Sequence, residues 1–349
     1  ELIDSEKDEA SSSEEARPAA MRASDPTAAQ TVRAFDPKHR VAGHREIIED
    51  DIELVYQTPE EAFQVPAKAL LFMAHGCSHS ATDFFDRSDH CPQCIGLPVE
   101  RHLVSTALSM GFVVVAVSSE NRHRKCWGGG EDLSRVTAAL EHVADKINKT
   151  LPVAALGASS GGRFAWALAN MVEQVKSAAI QIMGVPADEV TAEAPATILW
   201  HMPRDRHTAH SNKEALQALK SLNRPALELT CNPQPVNPSL FSSRMLDVDH
   251  QLAASIVSAL RAASLLDDQG YLKHDPRRTK WREALSAVPA IASGALGTKA
   301  DQSGISELLN VAWAGHEFCD EGMGDAFDFL MHFALNCSAK GECAQRTTV

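Results

Sequence analysis

Aromatic side chains are scarce in this chain: they make up 5% of its 349 residues, and only two of them are tyrosines. A surface that stacks bases or sugar rings needs clustered aromatic groups, so the composition gives no sign of one. Basic residues are also outnumbered, 33 against 46 acidic ones, which leaves a formal net charge of −13. That charge repels nucleic acid and anionic membranes, so we expect no nucleic-acid partner.

No apolar run in the sequence approaches the roughly eighteen residues that a membrane span requires. No stretch has the order of charged, apolar and small residues that marks a secretory signal peptide. We therefore expect no membrane span in this chain. The sequence begins at Glu1 rather than at methionine, which fits a processed mature chain and fits a trimmed one equally well.

Cysteine, in contrast, occurs in an even set of eight, and two glycosylation sequons begin at Asn148 and Asn336. Both features are typical of proteins made in an oxidising compartment, so we expect a secreted protein or one of the endomembrane lumen, with disulfides. The alternative is that several cysteines are buried free thiols, since cysteine packs as a small apolar residue. The set is Cys77, Cys91, Cys94, Cys126, Cys231, Cys319, Cys337 and Cys343.

One pair, Cys91 and Cys94, has the C-x-x-C spacing of half a zinc site or of a redox motif. A zinc ion needs two further ligands, for which His123 and Cys126 are the nearest candidates. Because the chain has no second C-x-x-C pair, we favour structural disulfides and assign no metal and no cofactor.

The chain divides by composition into four parts. Residues 1–45 are acidic and polar with little to bury, which predicts a flexible leader. Residues 46–231 alternate short apolar runs with helical patterns and predict an α/β core, which residues 316–349 complete together with a tail. Residues 232–315 show helical patterns without a clear strand and predict a helical insertion.

The alternation predicts a mostly parallel sheet covered by helices on both faces. The predicted strands are Ile52–Tyr56, Ala69–Ala74, Phe112–Ser118, Pro152–Leu156, Ala178–Met183, Ala196–Trp200 and Ala226–Thr230. The predicted helices of the core are Pro98–Ser109, Glu131–Ile147, Arg163–Val175, Asn212–Leu222 and Met323–Phe333. Those of the insertion are Asp247–Leu266, Arg278–Val288 and Ser303–Trp313.

The segment Gly157-Ala-Ser159-Ser-Gly161 matches G-x-S-x-G, with an apolar strand before it and a helical pattern after it. A serine at so sharp a turn has a strained backbone, and side chains at the flanking positions would clash, which is why glycines stand there. We therefore predict Ser159 as a nucleophile. The N–H of Ser160 then supplies one donor to an oxyanion at the helix N-terminus. The alternative is a glycine-rich turn in an ordinary strand–helix unit.

Upstream, the predicted strand Ala69–Ala74 runs into the turn His75-Gly76-Cys77. Together with the G-x-S-x-G segment, this turn resembles the α/β-hydrolase esterases, notably the group of polyhydroxyalkanoate depolymerases and feruloyl esterases. The resemblance implies an α/β-hydrolase fold and a second oxyanion donor, the N–H of Cys77.

Roughly residues 50–335 also look like a family of plant and algal α/β-hydrolase-like proteins. The segments that carry this likeness are His75–Phe84, Cys91–Pro98, Leu156–Gly162 and His201–Asp205. It implies little about the substrate, because this fold hosts many chemistries.

Asp205 follows the predicted strand Ala196–Trp200, where α/β hydrolases commonly hold the acid of a catalytic triad. The alternative for Asp205 is a helix cap or a solvated loop residue. The base must follow in the chain order Ser, Asp, His, and the serious candidates are His316 and His250. The family resemblance, through Leu309-Asn-Val-Ala-Trp-Ala-Gly-His316, favours His316.

These residues predict a serine hydrolase that cleaves a small-molecule or polymer-linked carboxylic ester through an acyl-enzyme. Two alternatives stay open: a non-catalytic binding or structural subunit of a larger assembly, and a serine peptidase on the same fold. We also expect the insertion to form a lid over the site, because insertions at the carboxyl ends of parallel strands lie beside the ligand crevice.

Overall fold

Eight strands form one sheet in the computed structural model, which describes residues 39–49 and 51–337. Their spatial order is β1-β2-β4-β3-β5-β6-β7-β8. In chain order they are β1 His44–Ile48, β2 Ile52–Gln57, β3 Ala69–Ala74, β4 Phe112–Val117, β5 Val153–Ala158, β6 Val175–Gln181, β7 Ala196–His201 and β8 Ala226–Thr230.

The direction of the strands defines the fold class. Strands β1 and β2 pair antiparallel, β2 lies antiparallel to β4, and all the other neighbours are parallel. This order and these directions are those of the α/β-hydrolase fold, so the predicted fold class is confirmed. The carboxyl ends of the parallel strands share one edge, which is where ligands bind in open α/β sheets.

Eleven α-helices flank the sheet in the described part of the chain. They are α1 Pro59–Phe63, α2 Pro98–Met110, α3 Gly130–Lys146, α4 Ser160–Met171, α5 Arg206–Ser221, α6 Pro238–Ser242, α7 His250–Ala262, α8 Trp281–Leu285, α9 Pro289–Ala292, α10 Gly304–Trp313 and α11 Met323–Asn336.

The two faces of the sheet bury separate apolar clusters. Along β3, Leu71 and Met73 belong to the cluster that contains α2 and α11, whereas Leu70 and Phe72 belong to the cluster that contains α3, α4 and α5. Successive side chains of a strand point to opposite faces, so a strand covered on both sides is apolar at every position. That is why the central strands read as unbroken apolar runs.

The predicted strands are all present, but several boundaries differ. Strand β6 begins at Val175, within the predicted helix Arg163–Val175, and α4 begins earlier than predicted, at Ser160. Strand β1 was not predicted, because its sequence His-Arg-Glu-Ile-Ile is polar and lies at the sheet edge beside β2 only. The last two residues of the predicted leader 1–45 overlap β1; residues 1–38 lie outside the described part, so the leader stays a prediction.

The insertion, residues 232–315, contains α6 to α10 and one isolated bridge between Leu266 and Leu272. The apolar stripes of α7 and α10 are buried in the same cluster as α2 and α11. Burial of those stripes therefore does not require a lid over the site, contrary to the reasoning from the sequence. The lid itself stays a prediction.

Three disulfides join described cysteines: Cys77–Cys126, Cys91–Cys94 and Cys231–Cys319. Cys337 is also disulfide-bonded, and no described cysteine is free. The C-x-x-C pair is bonded to itself, so its sulfurs are not thiolate ligands for zinc. Among residues 39–49 and 51–337, no group of three or more metal-ligating side chains converges. The disulfides fit an oxidising compartment.

No helix within the described residues is long and apolar enough to cross a membrane.

The disulfides give a first testable prediction. Treatment of the unreduced protein with iodoacetamide in denaturant should leave the six cysteines of these three pairs unalkylated, and prior reduction should add one carbamidomethyl group to each of the six. Peptide mapping without reduction should recover the pairs 77–126, 91–94 and 231–319. Alkylation of these cysteines without a reductant would contradict the pairing.

Candidate active site

Ser159 lies at the turn between β5 and α4, with its side chain partly exposed. Its backbone has φ 54° and ψ −121°, in the positive-φ region that a serine rarely adopts. The N–H of Ser159 donates to the carbonyl of Gln181 at 3.0 Å, which ties the turn to the end of β6. Such local strain persists where the surrounding structure holds it, and it often marks a functional position.

Two glycines allow the turn to approach its neighbours. A Cβ on Gly157 would overlap the carbonyl of Gly161, and a Cβ on Gly161 would overlap the carbonyls of Ala74 and His75. The N-terminus of α4 therefore packs backbone against backbone on the end of β3. This is the physical reason for the spacing of glycines around Ser159.

His316 bridges the serine and an aspartate. Its Nε2 lies 3.1 Å from the Ser159 Oγ, and its Nδ1 lies 2.8 Å from the Asp205 Oδ2. The three residues come from the ends of β5 and β7 and from the turn after α10. The structure therefore brings the predicted nucleophile, acid and base within hydrogen-bond distance of one another, in the order that acyl transfer requires.

Asp205 also caps α5. Its carboxylate accepts from the Thr208 N–H at 3.2 Å and from the Thr208 hydroxyl at 2.8 Å. Burial raises the pKa of Asp205, but the hydrogen bonds from His316 and Thr208 outweigh it, so its pKa lies below the ordinary value. Asp205 is thus both a helix cap and the partner of His316. Its hydrogen bonds with Thr208 hold the carboxylate in the position where it faces His316.

An arginine and a tryptophan lock the two loops that carry the acid and the base. The guanidinium of Arg204 lies 3.6 Å from the ring centre of Trp313 and donates to the Trp313 carbonyl at 2.7 Å. The backbone N–H of Arg204 also donates to the carbonyl of Ala314 at 3.2 Å. Sequence reasoning missed this pair as a unit, although each residue stands in a segment that carried the family likeness.

His250, the rival base, lies elsewhere. It is the first residue of α7, is exposed, and has no described hydrogen bond to Ser159 or Asp205. The chain-order argument allowed both histidines, because sequence gives no distance between the start of α7 and the end of β5.

His75 orients the turn that carries the second predicted oxyanion donor. It is buried, its Nε2 accepts from the Ser119 N–H at 3.1 Å, and its Nδ1 therefore bears the proton and donates to the carbonyl of Gly76 at 2.7 Å. A trans peptide points its carbonyl and its N–H in opposite directions, so the N–H of Cys77 points away from His75. Among the described residues, the N–H groups of Cys77 and Ser160 have no protein acceptor.

The charge state of His75 follows from its surroundings. Burial is the main reason that the pKa of His75 is lowered to about 3; the hydrogen bond to Gly76 opposes this shift, and the charges of His79, Arg122 and Lys125 contribute to it. His75 is thus a neutral structural residue at neutral pH, and its tautomer is fixed by its two partners.

His79 has the opposite charge state four residues later. Its Nδ1 lies 2.9 Å from the Asp83 Oδ2. Burial lowers the pKa of His79, but the bond to Asp83 and the charges of Glu100, Glu317 and Asp83 outweigh it and raise the pKa to about 9. An imidazolium therefore lies two residues after Cys77, beside the turn His75-Gly76-Cys77, which we call the oxyanion turn. Sequence reasoning missed it, and only the i, i+4 spacing of His79 and Asp83 signalled the pair.

Two buried glutamates lie behind His79. Glu100 in α2 is 1% exposed and Glu307 in α10 is 4% exposed. Burial raises the pKa of Glu100 to about 7 and raises that of Glu307 well above its ordinary value, and the two are hydrogen-bonded. The carboxyl of Glu307 also accepts from the Val99 N–H at 3.2 Å. The pair thus joins the insertion to the start of α2.

Comparison with known proteins shows that this chain resembles solved structures in its fold and no curated protein in its sequence. No family model and no curated protein sequence is significantly similar to the chain. The resemblance to plant and algal proteins and to polyhydroxyalkanoate depolymerases thus stays a prediction.

Three solved structures illustrate the likeness. A thermostable esterase matches at 13% identity and a TM-score of 0.40 over 62% of this chain and 60% of that one, less than two thirds of its length. An α/β hydrolase from a Medee basin deep-sea metagenome library matches at 13% identity and a TM-score of 0.41, covering 64% and 97%. An esterase of the Planctomycetes species Thermogutta terrifontis matches at 11% identity and a TM-score of 0.40, covering 68% and 97%. Likenesses this distant assign no reaction, and the fold class rests on the strand order and on the turn at Ser159.

The glycine contacts give a second prediction. Gly161→Ala should lower the free energy of unfolding by about 3 kcal/mol, because backbone carbonyls surround the added methyl and cannot yield as a side chain can. The control is Gly324→Ala in α11, where a Cβ has open space and helix propensity favours alanine. Urea unfolding of both variants measures the difference. Equal stability of the two variants would contradict the close approach.

The buried glutamates give a third prediction. Burial raises the pKa of Glu100 from its ordinary value of 4.5 to about 7. Between these two pH values, the folded state therefore keeps a proton that the unfolded state has released. Stability should therefore fall as the pH rises from 5 to 8, by about 2 kcal/mol. Glu100→Gln carries no such proton and should lose most of this fall, whereas exposed Glu173→Gln should keep it. Urea unfolding at both pH values measures the change, and identical pH profiles for wild type and Glu100→Gln would contradict the assignment.

Proposed function

We propose that this protein is a serine hydrolase that cleaves carboxylic esters through an acyl-enzyme. The observation that carries the proposal is the chain of contacts from Ser159 through His316 to Asp205, at 3.1 and 2.8 Å. A non-catalytic binding protein has no use for a strained serine, a histidine and a half-buried carboxylate in this order. The alternative of a structural subunit thus lacks an observation in its favour.

The first half of the reaction forms the acyl-enzyme. The Ser159 Oγ attacks the ester carbonyl as its proton passes to the His316 Nε2, and Asp205 stabilises the imidazolium that results. The N–H groups of Cys77 and Ser160 donate to the oxyanion of the tetrahedral intermediate. The intermediate collapses when His316 returns the proton to the leaving alkoxide, which departs as the alcohol.

The second half releases the acid. Water takes the place of the alcohol, gives its proton to His316 and attacks the acyl carbonyl, and the same two N–H groups hold the second oxyanion. Collapse returns the proton from His316 to the Ser159 Oγ. Every step uses groups of the polypeptide, so the proposal includes no metal and no cofactor.

We place the protein outside the cell or in the endomembrane lumen. The described disulfides support an oxidising compartment, and the sequon at Asn148 lies at an exposed position after α3, where a glycan has room.

The fourth prediction tests the triad. Ser159→Ala should lower kcat for 4-nitrophenyl butyrate at least about 1000-fold while the melting temperature stays nearly constant, and His316→Ala should do the same. The double variant should be no worse than either single one, because the members of a triad act as a unit. A fluorophosphonate probe should label wild type at Ser159.

Two matched controls accompany this test. Ser255→Ala and His250→Ala change an exposed serine and an exposed histidine of α7, and both should keep wild-type activity. Loss of activity in His250→Ala but not in His316→Ala would transfer the role of base to His250. A Ser159→Ala variant as active as wild type would refute the proposal, and cleavage of amides faster than of matched esters would favour a peptidase.

A further inference from the structure

We propose that the site selects esters whose acyl group carries a carboxylate, and that His79 binds this carboxylate. The inference rests on the proposed ester hydrolysis and names the class of substrate. It goes beyond the triad because neither half of the reaction uses His79.

The position of His79 next to the nucleophile is the first observation. A Cβ placed on Gly76 would lie 4.0 Å from the Cδ2 of His79 and 3.9 Å from the Cβ of Ser159, in ordinary contact with both. The carbonyl oxygen of Ala158 would lie 3.8 Å from the same Cβ, so the missing side chain of Gly76 leaves a gap about the size of a methyl group between the ring and the serine. A substrate group that extends past the ester carbonyl on this side meets the imidazole.

The second observation is the orientation of the ring. Its Nδ1 is held by Asp83, whose Oδ2 also accepts from the Ser80 N–H at 3.2 Å. The Cδ2 that faces Gly76 is bonded to Nε2, which has no protein partner in the described part of the chain and is not among its fully buried polar atoms. The Nε2–H thus has no acceptor among the described residues, and the ring that bears it is held in place by Asp83.

The third observation is the charge on the ring. The hydrogen bond to the Asp83 carboxylate, together with the electrostatic influence of Glu100 and Glu317, outweighs the cost of burial and keeps the imidazole protonated. A buried cation with one free donor is a good partner for an oxyanion of the ligand, since charge-assisted hydrogen bonds are stronger than neutral ones. A neutral alkyl group at the same place would leave the donor unsatisfied.

A basic loop extends the same field on the other side of Cys77. This loop, residues 121–126, is bonded to the oxyanion turn by the Cys77–Cys126 disulfide and by a hydrogen bond from the Ser78 N–H to the Arg124 carbonyl at 3.1 Å. Arg122 pairs with Glu53 at 2.8 Å, whereas the side chains of Arg124 and Lys125 form no described ion pair. In a chain with net charge −13, this loop thus places basic side chains next to the turn that contains Cys77.

The test compares two esters of equal size. 4-Nitrophenyl hemisuccinate ends in a carboxylate, and 4-nitrophenyl 4-methylpentanoate ends in an isosteric isopropyl group. We expect wild type to favour the hemisuccinate in kcat/KM by about tenfold or more after subtraction of the Ser159→Ala background. His79→Gln keeps the size of the side chain but loses its charge, and it should remove about tenfold of that preference.

Further variants separate recognition from folding. Arg124→Ala with Lys125→Ala should weaken the preference and its dependence on salt. The control, Lys68→Ala with Lys220→Ala, removes the same charge at the opposite end of the sheet and should leave the preference intact. A purely structural role of His79 would lower the rates for both esters equally, and that result, or an unchanged preference in His79→Gln, would overturn the inference.

A binding measurement keeps the inference separate from the proposed function. Calorimetry on Ser159→Ala with the two matching 4-nitroanilides reads recognition without turnover. Tighter binding of the succinyl anilide that is lost on adding His79→Gln supports carboxylate recognition even if neither ester is cleaved, in which case the ester hydrolase proposal alone fails. Equal binding of the two anilides would refute carboxylate recognition.

Discussion

The architecture of the site depends on one close approach, that of the N-terminus of α4 to the end of β3. Gly157 and Gly161 let two backbones touch where any side chain would overlap a carbonyl. This contact accompanies the positive φ of Ser159, which lies between the two glycines. The other parts of the site are arranged around that fixed point, because strain in a turn is kept only by rigid neighbours.

Each partner of Ser159 is held by contacts that reach beyond the three residues. Asp205 is fixed as the cap of α5, and the stacking of Arg204 on Trp313 joins its loop to the one that bears His316. The carbonyl of His316 accepts in turn from Arg277 of the insertion. A geometry that must be kept within a few tenths of an ångström is thus secured by side chains that never meet the substrate.

His75 and His79, four residues apart, have opposite charge states because their burial and their neighbours differ. His75 is enclosed, neutral and bonded at both nitrogens, and it orients a peptide. His79 is bonded to the Asp83 carboxylate and stays charged, and its Nε2 has no partner among the described residues. The turn at Gly76 and Cys77 thus has a neutral imidazole before it and a cationic one after it.

The sequence by itself determined the central strands, the fold class and the strand–turn–helix at Ser159, because unbroken apolar runs and obligatory glycines are local consequences of burial and sterics. It missed β1, whose polar residues carry no such signal, and it misplaced the start of β6, where a helical and a strand pattern run together. It also left His316 and His250 both open, and it gave no charge to His79. The contacts of His316 with Ser159 and Asp205 and the charge of His79 were decided only by the tertiary structure, because distances between chain segments and the electrostatic surroundings of a side chain arise only when remote residues pack together.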